Sequence, residues 1–491
     1  MTDLLKKLTA LEQVSAQLEP SQEQRDYYLQ KIKEWGDRFI SEIDELPSFH
    51  SKSPDVSKLK IDEQSHPIED ILSTYTTEVS ETGIQPASGG HLGYIPGGGI
   101  YLSALGDYLA DVSNEYAGMY FGGPGAVTIE NELIAWMSDV FGFPEHTVGN
   151  LTSGGSIANL IALTAARDKY QIKNEKVAKS VIYLSEQVHH CTQKALRIIG
   201  LEDAIIRYIA LDDYWRMDPD DLANKINEDK ASGLNPFLVL ASAGTTDTGA
   251  IDPLKQIGEI AKDQDLWYHV DGAYGGFFIL TERAGHKFEG INMADSLCID
   301  PHKGLFLPYG LGAVLIKDKK ALFHSHHYTA NYMQDALDEN LPLNPADVSP
   351  ELTKHFRGLR MWLPLQIHGI EPFKACLEEK LYLTDYFREA LVKRGFEVGP
   401  EPDLSVSYFW YPLSKQLENA TNDEENAFNQ QLMQEIHKDG RIFLSSTKLH
   451  GKMVIRMAIL SFRTKKHTID TCLEMIDRCL EKTKSNFKVN Q

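Results

Sequence analysis

Apolar residues recur every three or four positions in two stretches at the start of the chain: Leu4, Leu8 and Leu11, then Tyr28, Ile32, Trp35, Phe39 and Ile43 beyond the break at Pro20. That spacing predicts two amphipathic helices, and Ser21 with Gln24 forms the reciprocal pair that starts the second. Helices ahead of any sheet must bury their stripes against a partner subunit or against their own domain. The polar loop SFHSKSPDVSKLKIDEQSHP closes this arm.

The pattern then changes. From Ile84 to Gly99 the chain is glycine-rich, with ASGGHLGYIPGGG at its densest, which reads as a segment that lines something. A second cluster, FGGPGA at 121–126, precedes a helix from about Thr128 to Phe141, and neither cluster has a phosphate-loop pattern. Short apolar runs of strand length follow at 181–184, 237–244, 266–270, 296–299 and 312–316. Helical stretches separate several of them, one starting at SGGSIANL and one placed with Asp252 at its N-cap and Pro253 in its first turn. Strand and helix in alternation imply right-handed crossovers and a mainly parallel sheet. From Ala321 to Pro350 periodicity disappears and a long loop is expected. The tail alternates again: a helix to about Arg394, a strand near Ser405–Trp410, a helix near Glu424–Lys438, a strand at 453–460 and a helix from about Thr468. The expected division is a helical arm at 1–95, a large α/β domain at 96–370 and a small α+β domain at 371–491.

Composition narrows the function. The chain has 491 residues and a formal net charge of −21, a negative field that repels nucleic acid and anionic membranes. Its five cysteines (191, 298, 376, 472 and 479) are scattered with no C-x-x-C pair, against a disulfide framework or zinc site and in favour of a reducing cytoplasm. Cys472 and Cys479 fall on one face of the last helix and read as core. No apolar run approaches membrane-spanning length, and the N-terminus is too charged for a signal peptide.

The candidate chemistry lies at two strand ends. The run WYHVDGAYGG places Asp271 just past one strand, and SLCIDPHKG places Asp300, His302 and Lys303 just past the next, so an acid and a lysine meet in a crevice at the ends of a parallel sheet. A lysine there can hold pyridoxal 5′-phosphate (PLP) as a Schiff base, with an acid at the ring nitrogen. Gly155 and Ser156 opening a helix suit the phosphate. His189, with His190 as its rival, is a flat group for stacking on the ring. Singly, each residue has an ordinary reading as a cap, a strand-end acid or a surface side chain. Together they fall in the order and at the strand ends that one ligand requires.

SGGSIANLIALTAARD, HVDGAYGG, IDPHKG and HFRGLRMWLPLQIHG, in that order, resemble the group II PLP-dependent amino-acid decarboxylases, aromatic-L-amino-acid decarboxylases in particular. The resemblance runs from about Leu92 to about Arg463. It implies fold type I (aspartate-aminotransferase-like), a homodimer whose arm is the helical pair above, and decarboxylation of an L-amino acid, most like the aromatic-specific members. Lys303 matches the Schiff-base lysine, Asp271 the pyridinium partner and Ala273 the residue beneath the ring. His189 matches the stacking histidine, Gly155 and Ser156 the phosphate turn, Thr246 a threonine near the cofactor, and His302 the histidine beside the lysine. Tyr94 and Pro96 resemble a substrate-facing stretch. Two departures stand out. The loop tyrosine that reprotonates Cα in many aromatic-specific members aligns near Pro345, leaving Tyr328 or Tyr332 to serve from another loop geometry; relatives lacking it release an aldehyde by oxidative deamination. Asp300 stands where many relatives have asparagine. Aldehyde synthesis, carbon–carbon lyase action and a non-catalytic PLP-binding homodimer are the competing readings.

Overall fold

The computed structural model describes residues 2–327, 342–415 and 420–487. The middle of the chain forms a seven-stranded sheet from β1 (Val148–Thr152), β2 (Ser180–Ser185), β3 (Ile205–Ile209), β4 (Asn235–Ser242), β5 (Trp267–Asp271), β6 (Ser296–Ile299) and β7 (Gly312–Ile316). Their spatial order is β1-β7-β6-β5-β4-β2-β3. The pairs from β3 across to β6 are parallel, as the alternation predicts, while β7 runs antiparallel to both β6 and β1. Only residues 300–311 join β6 to β7, too little chain for a packed crossover helix, so the strand returns alongside.

Successive residues of the central strands feed two cores. Tyr268, Val270, Leu297 and Ile299 face one, while Trp267 and Cys298 face the other, the two-residue period of a sheet covered on both faces. Leu297 is fully buried, which is worth about 1.5–3 kcal/mol for a side chain of that kind. With both faces packed, the chemistry has room only beyond the strand ends.

The tail forms an antiparallel four-stranded sheet, β8 (Glu397–Val398), β9 (Val406–Trp410), β10 (Ser445–Leu449) and β11 (Lys452–Ala458), in the order β8-β9-β11-β10. Helices Glu371–Lys393, Asn422–Asp439 and Lys466–Asn486 supply its core, which includes the buried Cys472 and Cys479. The glycine-rich segment ties this unit to the large sheet. Leu92 N donates to Phe443 O, and Gly98 and Gly99 N donate to the carbonyls of Leu307 and Phe306. A Cβ on Gly98 would lie 1.8 Å from Phe306 O, so that approach admits no side chain. The segment does line something: the turn just after Lys303.

The arm is α1 (Asp3–Ser15) and α2 (Gln22–Glu42), with the expected capping box at Ser21 and Gln24. Neither helix buries a residue. Three expectations change. The second glycine cluster itself starts the helix, Pro124–Val140, because Pro124 occupies its first turn. Asp252 does not cap the next helix: Pro253 precedes Leu254–Gln264, and the Asp252 carboxylate accepts from the N–H groups of Ser242 and Met217. The stretch from Ala321 to Pro350 is not all loop, since Lys319–His326 is helical and Pro345–Val348 makes a 3-10 turn.

Candidate active site

β5 and β6 are paired neighbours with Asp271 opposite Cys298, so Asp271 and the turn carrying Lys303 emerge side by side. They open into a cavity of about 330 Å³ lined also by Gly155, Ser156, Asn159, His189, Thr246, Ala273, Asp300 and His302. Eight of the sequence-selected residues therefore surround one space. His190 is exposed and does not line it; only the first histidine of the pair is positioned to stack. Tyr94 and Pro96 do not line it either, but connect to it: Gly97 N donates to the Tyr309 hydroxyl (3.3 Å), and Tyr309 meets the His302 ring edge-on. Tyr328 and Tyr332 lie outside the described residues. Pro345 is buried in the 3-10 turn Pro345–Val348.

Asp271 is held by two donors. Ala273 N donates to Oδ1 (3.0 Å) and Asn159 Nδ2 to Oδ2 (2.9 Å). Behind Asn159 runs a buried chain whose hydrogens are fixed by elimination. Asn159 spends its amino group on Asp271, so its carbonyl accepts from His269 Nε2 (2.7 Å). His269 Nδ1 then accepts from Ser296 Oγ (2.8 Å), which in turn accepts from Trp267 Nε1 (2.8 Å). Burial pushes the His269 pKa down to about 4, matching the neutral ring this order of donors requires. The chain leaves Asp271 a hydrogen-bonded acceptor that cannot rotate.

Lys303 is held differently. Its Nζ pairs with Asp300 Oδ2 at 2.9 Å. Burial works against the charged amine, but Asp300 outweighs it, with Asp271 adding, so the pKa lies above the ordinary lysine value. His302 Nδ1 contacts the Leu311 carbonyl at 2.6 Å. A carbonyl only accepts, so Nδ1 carries the hydrogen and Nε2 keeps its lone pair, 3.7 Å from Asp300 Oδ2. Burial lowers the pKa of His302, and burial together with His190 lowers that of His189.

These residues fit PLP. Gly155 and Ser156 open the Gly155–Lys169 helix, where N–H groups of the first turn have no acceptor within the helix and suit a dianion. Two buried cavity atoms, Asp300 Oδ1 and Gln187 Oε1, lack partners, and the space is of ligand size. Sequence reasoning missed Asn159, His269 and Ser296. Their signal was present: a polar residue on the alanine-rich stripe of SGGSIANLIALTAARD, and polar residues inside apolar strands.

Comparison with known proteins points the same way. A bacterial aromatic-L-amino-acid decarboxylase from Bacillus atrophaeus is 36% identical over 377 residues, 76% of this chain and 77% of that protein. A phenylacetaldehyde synthase from Petunia hybrida is 27% identical, with 81% of each covered. The crystal structure of Oryza sativa TDC with PLP and tryptamine superposes with a TM-score of 0.89 at 22% identity, covering 94% of this chain and 99% of that one. The pyridoxal-dependent decarboxylase conserved domain matches residues 52–412, and the chain belongs to that family, as a PLP-dependent amino-acid decarboxylase of fold type I.

Proposed function

We propose that this protein decarboxylates an aromatic L-amino acid to the amine and CO2, using Lys303 to hold the cofactor. The observation that carries the site assignment is the opening of Lys303, Asp271 and the Gly155–Ser156 turn into one cavity. PLP, when bound, supplies a conjugated ring that accepts the electron pair left at Cα as CO2 departs. Lys303 Nζ is the amine that holds the aldehyde and yields it to the substrate amine. Asp271, fixed through Asn159, would keep the ring nitrogen protonated. Gly155 and Ser156 would hold the phosphate, His189 would stack on the ring, Ala273 would pack beneath it, and Thr246 lines the cavity. A loop tyrosine, or His302 after taking up a proton at Nε2, would return a proton to Cα. The resemblance carries Tyr94, Pro96 and Tyr332 as substrate-facing candidates, although Tyr94 and Pro96 do not line this cavity. The cavity walls orient the bond to be broken.

Aromatic specificity is supported by the relative from Bacillus atrophaeus. A homodimer is supported by the arm, where Leu4, Leu11 and Ile32 are 66%, 67% and 52% exposed; apolar stripes of this kind call for a second surface. Five free cysteines favour the cytoplasm, and no described helix is long and apolar enough to cross a membrane. A division near residue 370 is supported by the large sheet ending at Ile316 and the small one beginning at Glu397.

A second reading, release of an aldehyde, has its own support: a phenylacetaldehyde synthase is among the relatives, and the resemblance puts the place of the loop tyrosine near Pro345, with Tyr328 or Tyr332 as the alternatives. A product screen over the twenty common amino acids plus diaminobutyrate, dihydroxyphenylalanine and cysteine sulfinate separates these. The proposal expects amine and CO2 in equal amounts from an aromatic substrate, without ammonia or peroxide. Turnover confined to acidic or basic substrates overturns the specificity; aldehyde with ammonia establishes the second reading.

A further inference from the structure

Among the described residues β1 is an edge strand of the large sheet, paired with β7 alone, and it ends at Thr152 just ahead of the Gly155–Ser156 turn. An edge strand leaves peptide groups without a ladder partner. Here two charged side chains take the place of the missing strand. Glu130 Oε1, from the Pro124–Val140 helix, accepts from Leu151 N (3.0 Å), and Lys354 Nζ donates to Leu151 O (2.9 Å). The two meet each other at 2.8 Å, with the lysine side chain 0% and the glutamate 3% exposed. Nζ has a third acceptor in Asn150 Oδ1 (3.2 Å), oriented because Asn150 Nδ2 donates to Pro345 O (3.0 Å). Three acceptors around one nitrogen call for three hydrogens, so Lys354 is an ammonium. Burial pulls its pKa below the ordinary lysine value, and Glu130 pulls it back.

A buried ion pair is weak evidence for stability, because desolvation offsets the attraction between the charges. This pair does something apolar side chains cannot: it binds both the N–H and the C=O of one residue and so fixes where the strand ends. The next link passes that position on. Thr152 is fully buried, and its hydroxyl donates to Gly154 O (3.0 Å) and accepts from Gly154 N (3.3 Å). Gly154 lies against β7, where a Cβ on Gly312 would stand 2.6 Å from Gly154 Cα. Gly155 and Ser156 follow at once. Backbone donors at a helix start grip a phosphate only where they converge on it, so a shift at the end of β1 is a shift of the donors.

We propose that the Lys354–Glu130 pair sets the phosphate turn, acting through Leu151 and Thr152 to hold the N–H groups of Gly155 and Ser156 in register for the cofactor's phosphate. Neither charged residue lines the cavity, and both are positioning residues. Arg357 adds a weaker second donor to Leu151 O (3.2 Å). The segment that brings Lys354 and Arg357 to β1 is thereby tied to cofactor binding. The inference rests on Gly155 and Ser156 being the phosphate turn.

The test compares PLP with pyridoxal, which carries the same aldehyde without the phosphate, on the full-length protein stripped of cofactor. The ratio of their dissociation constants, read by visible absorbance, isolates what the phosphate contributes. Glu130→Met with Lys354→Met replaces the pair by apolar side chains of similar length, an exchange that commonly leaves a protein folded. Thr152→Val cuts the next link and leaves the pair intact, so the test does not depend on the double variant folding. In both, the preference for PLP is expected to fall by about tenfold, the scale of one hydrogen bond to a charged group, with pyridoxal binding close to the wild type. A general loss of stability would weaken both ligands alike and leave the ratio unmoved. An unchanged ratio in Thr152→Val, or in the folded double variant, overturns the proposal. A wild type that binds pyridoxal as tightly as PLP contradicts the phosphate turn itself, and the proposal falls with it.

Discussion

Asp271 and Asp300 end adjacent strands, a few residues apart in space, and the protein treats them oppositely. Both oxygens of Asp271 have donors, and one donor, Asn159, is the last link of a buried chain reaching back to Trp267. Asp300 has one oxygen on a flexible amine and the other on nothing. Full satisfaction fixes a charge and its orientation; partial satisfaction leaves a group able to change partner. The first suits a carboxylate that must keep a ring nitrogen protonated throughout turnover.

The comparison breaks most sharply at Asp271. Asp271→Asn keeps the shape and removes the charge, and kcat is expected to fall by roughly 10²- to 10³-fold, the scale for losing a preorganised electrostatic contact, with PLP still attached at Lys303. Steady-state kinetics beside the visible spectrum checks this. Asn159→Ala leaves the charge but removes its orienting donor. A hydrogen bond to a charged group is worth about 1.5–3 kcal/mol, so a loss of about 10- to 100-fold in kcat is expected, with Asn159→Gln recovering part of it. A wild-type rate in Asn159→Ala would show that Asp271 needs no support.

The mildest test reads stability. His269 is buried neutral with its pKa pushed down to about 4, below the ordinary histidine value of about 6.5. The unfolded chain therefore binds a proton first as the pH falls, so this contribution is present above about pH 6.5 and is lost progressively toward pH 4. His269→Gln should flatten that part of the pH dependence in urea denaturation between pH 7 and pH 5. An unchanged slope would mean that His269 does not titrate with folding.

The two carboxylates also mark how far the sequence can be read. Asp271 and Lys303 are legible because short apolar runs ending in a charged residue have few uses at the edge of a covered sheet. Asn159 is harder, since its helix reads as an apolar stripe and a single polar residue on it looks like tolerance. What recruits it is a strand more than a hundred residues later, a contact no local pattern encodes. The reversed direction of β7 is hidden for the same reason, because orientation depends on what the returning chain has room to do. β1 (VGNLT) and β10 (SSTKL) escape because small and polar residues interrupt the alternation that announces a strand. The arm is the opposite case. Its helices and capping box are local and fully legible, while nothing in the local pattern says what their apolar stripes meet.

The central claim is that PLP is held at Lys303 facing Asp271. Borohydride reduction of the PLP-loaded protein, followed by peptide mapping, tests it most directly. The account predicts a pyridoxyl group on Lys303, and in Lys303→Ala the loss of that adduct, of the visible band and of turnover. A pyridoxyl group on another lysine, or a Lys303→Ala protein that keeps the band and full turnover, would contradict it.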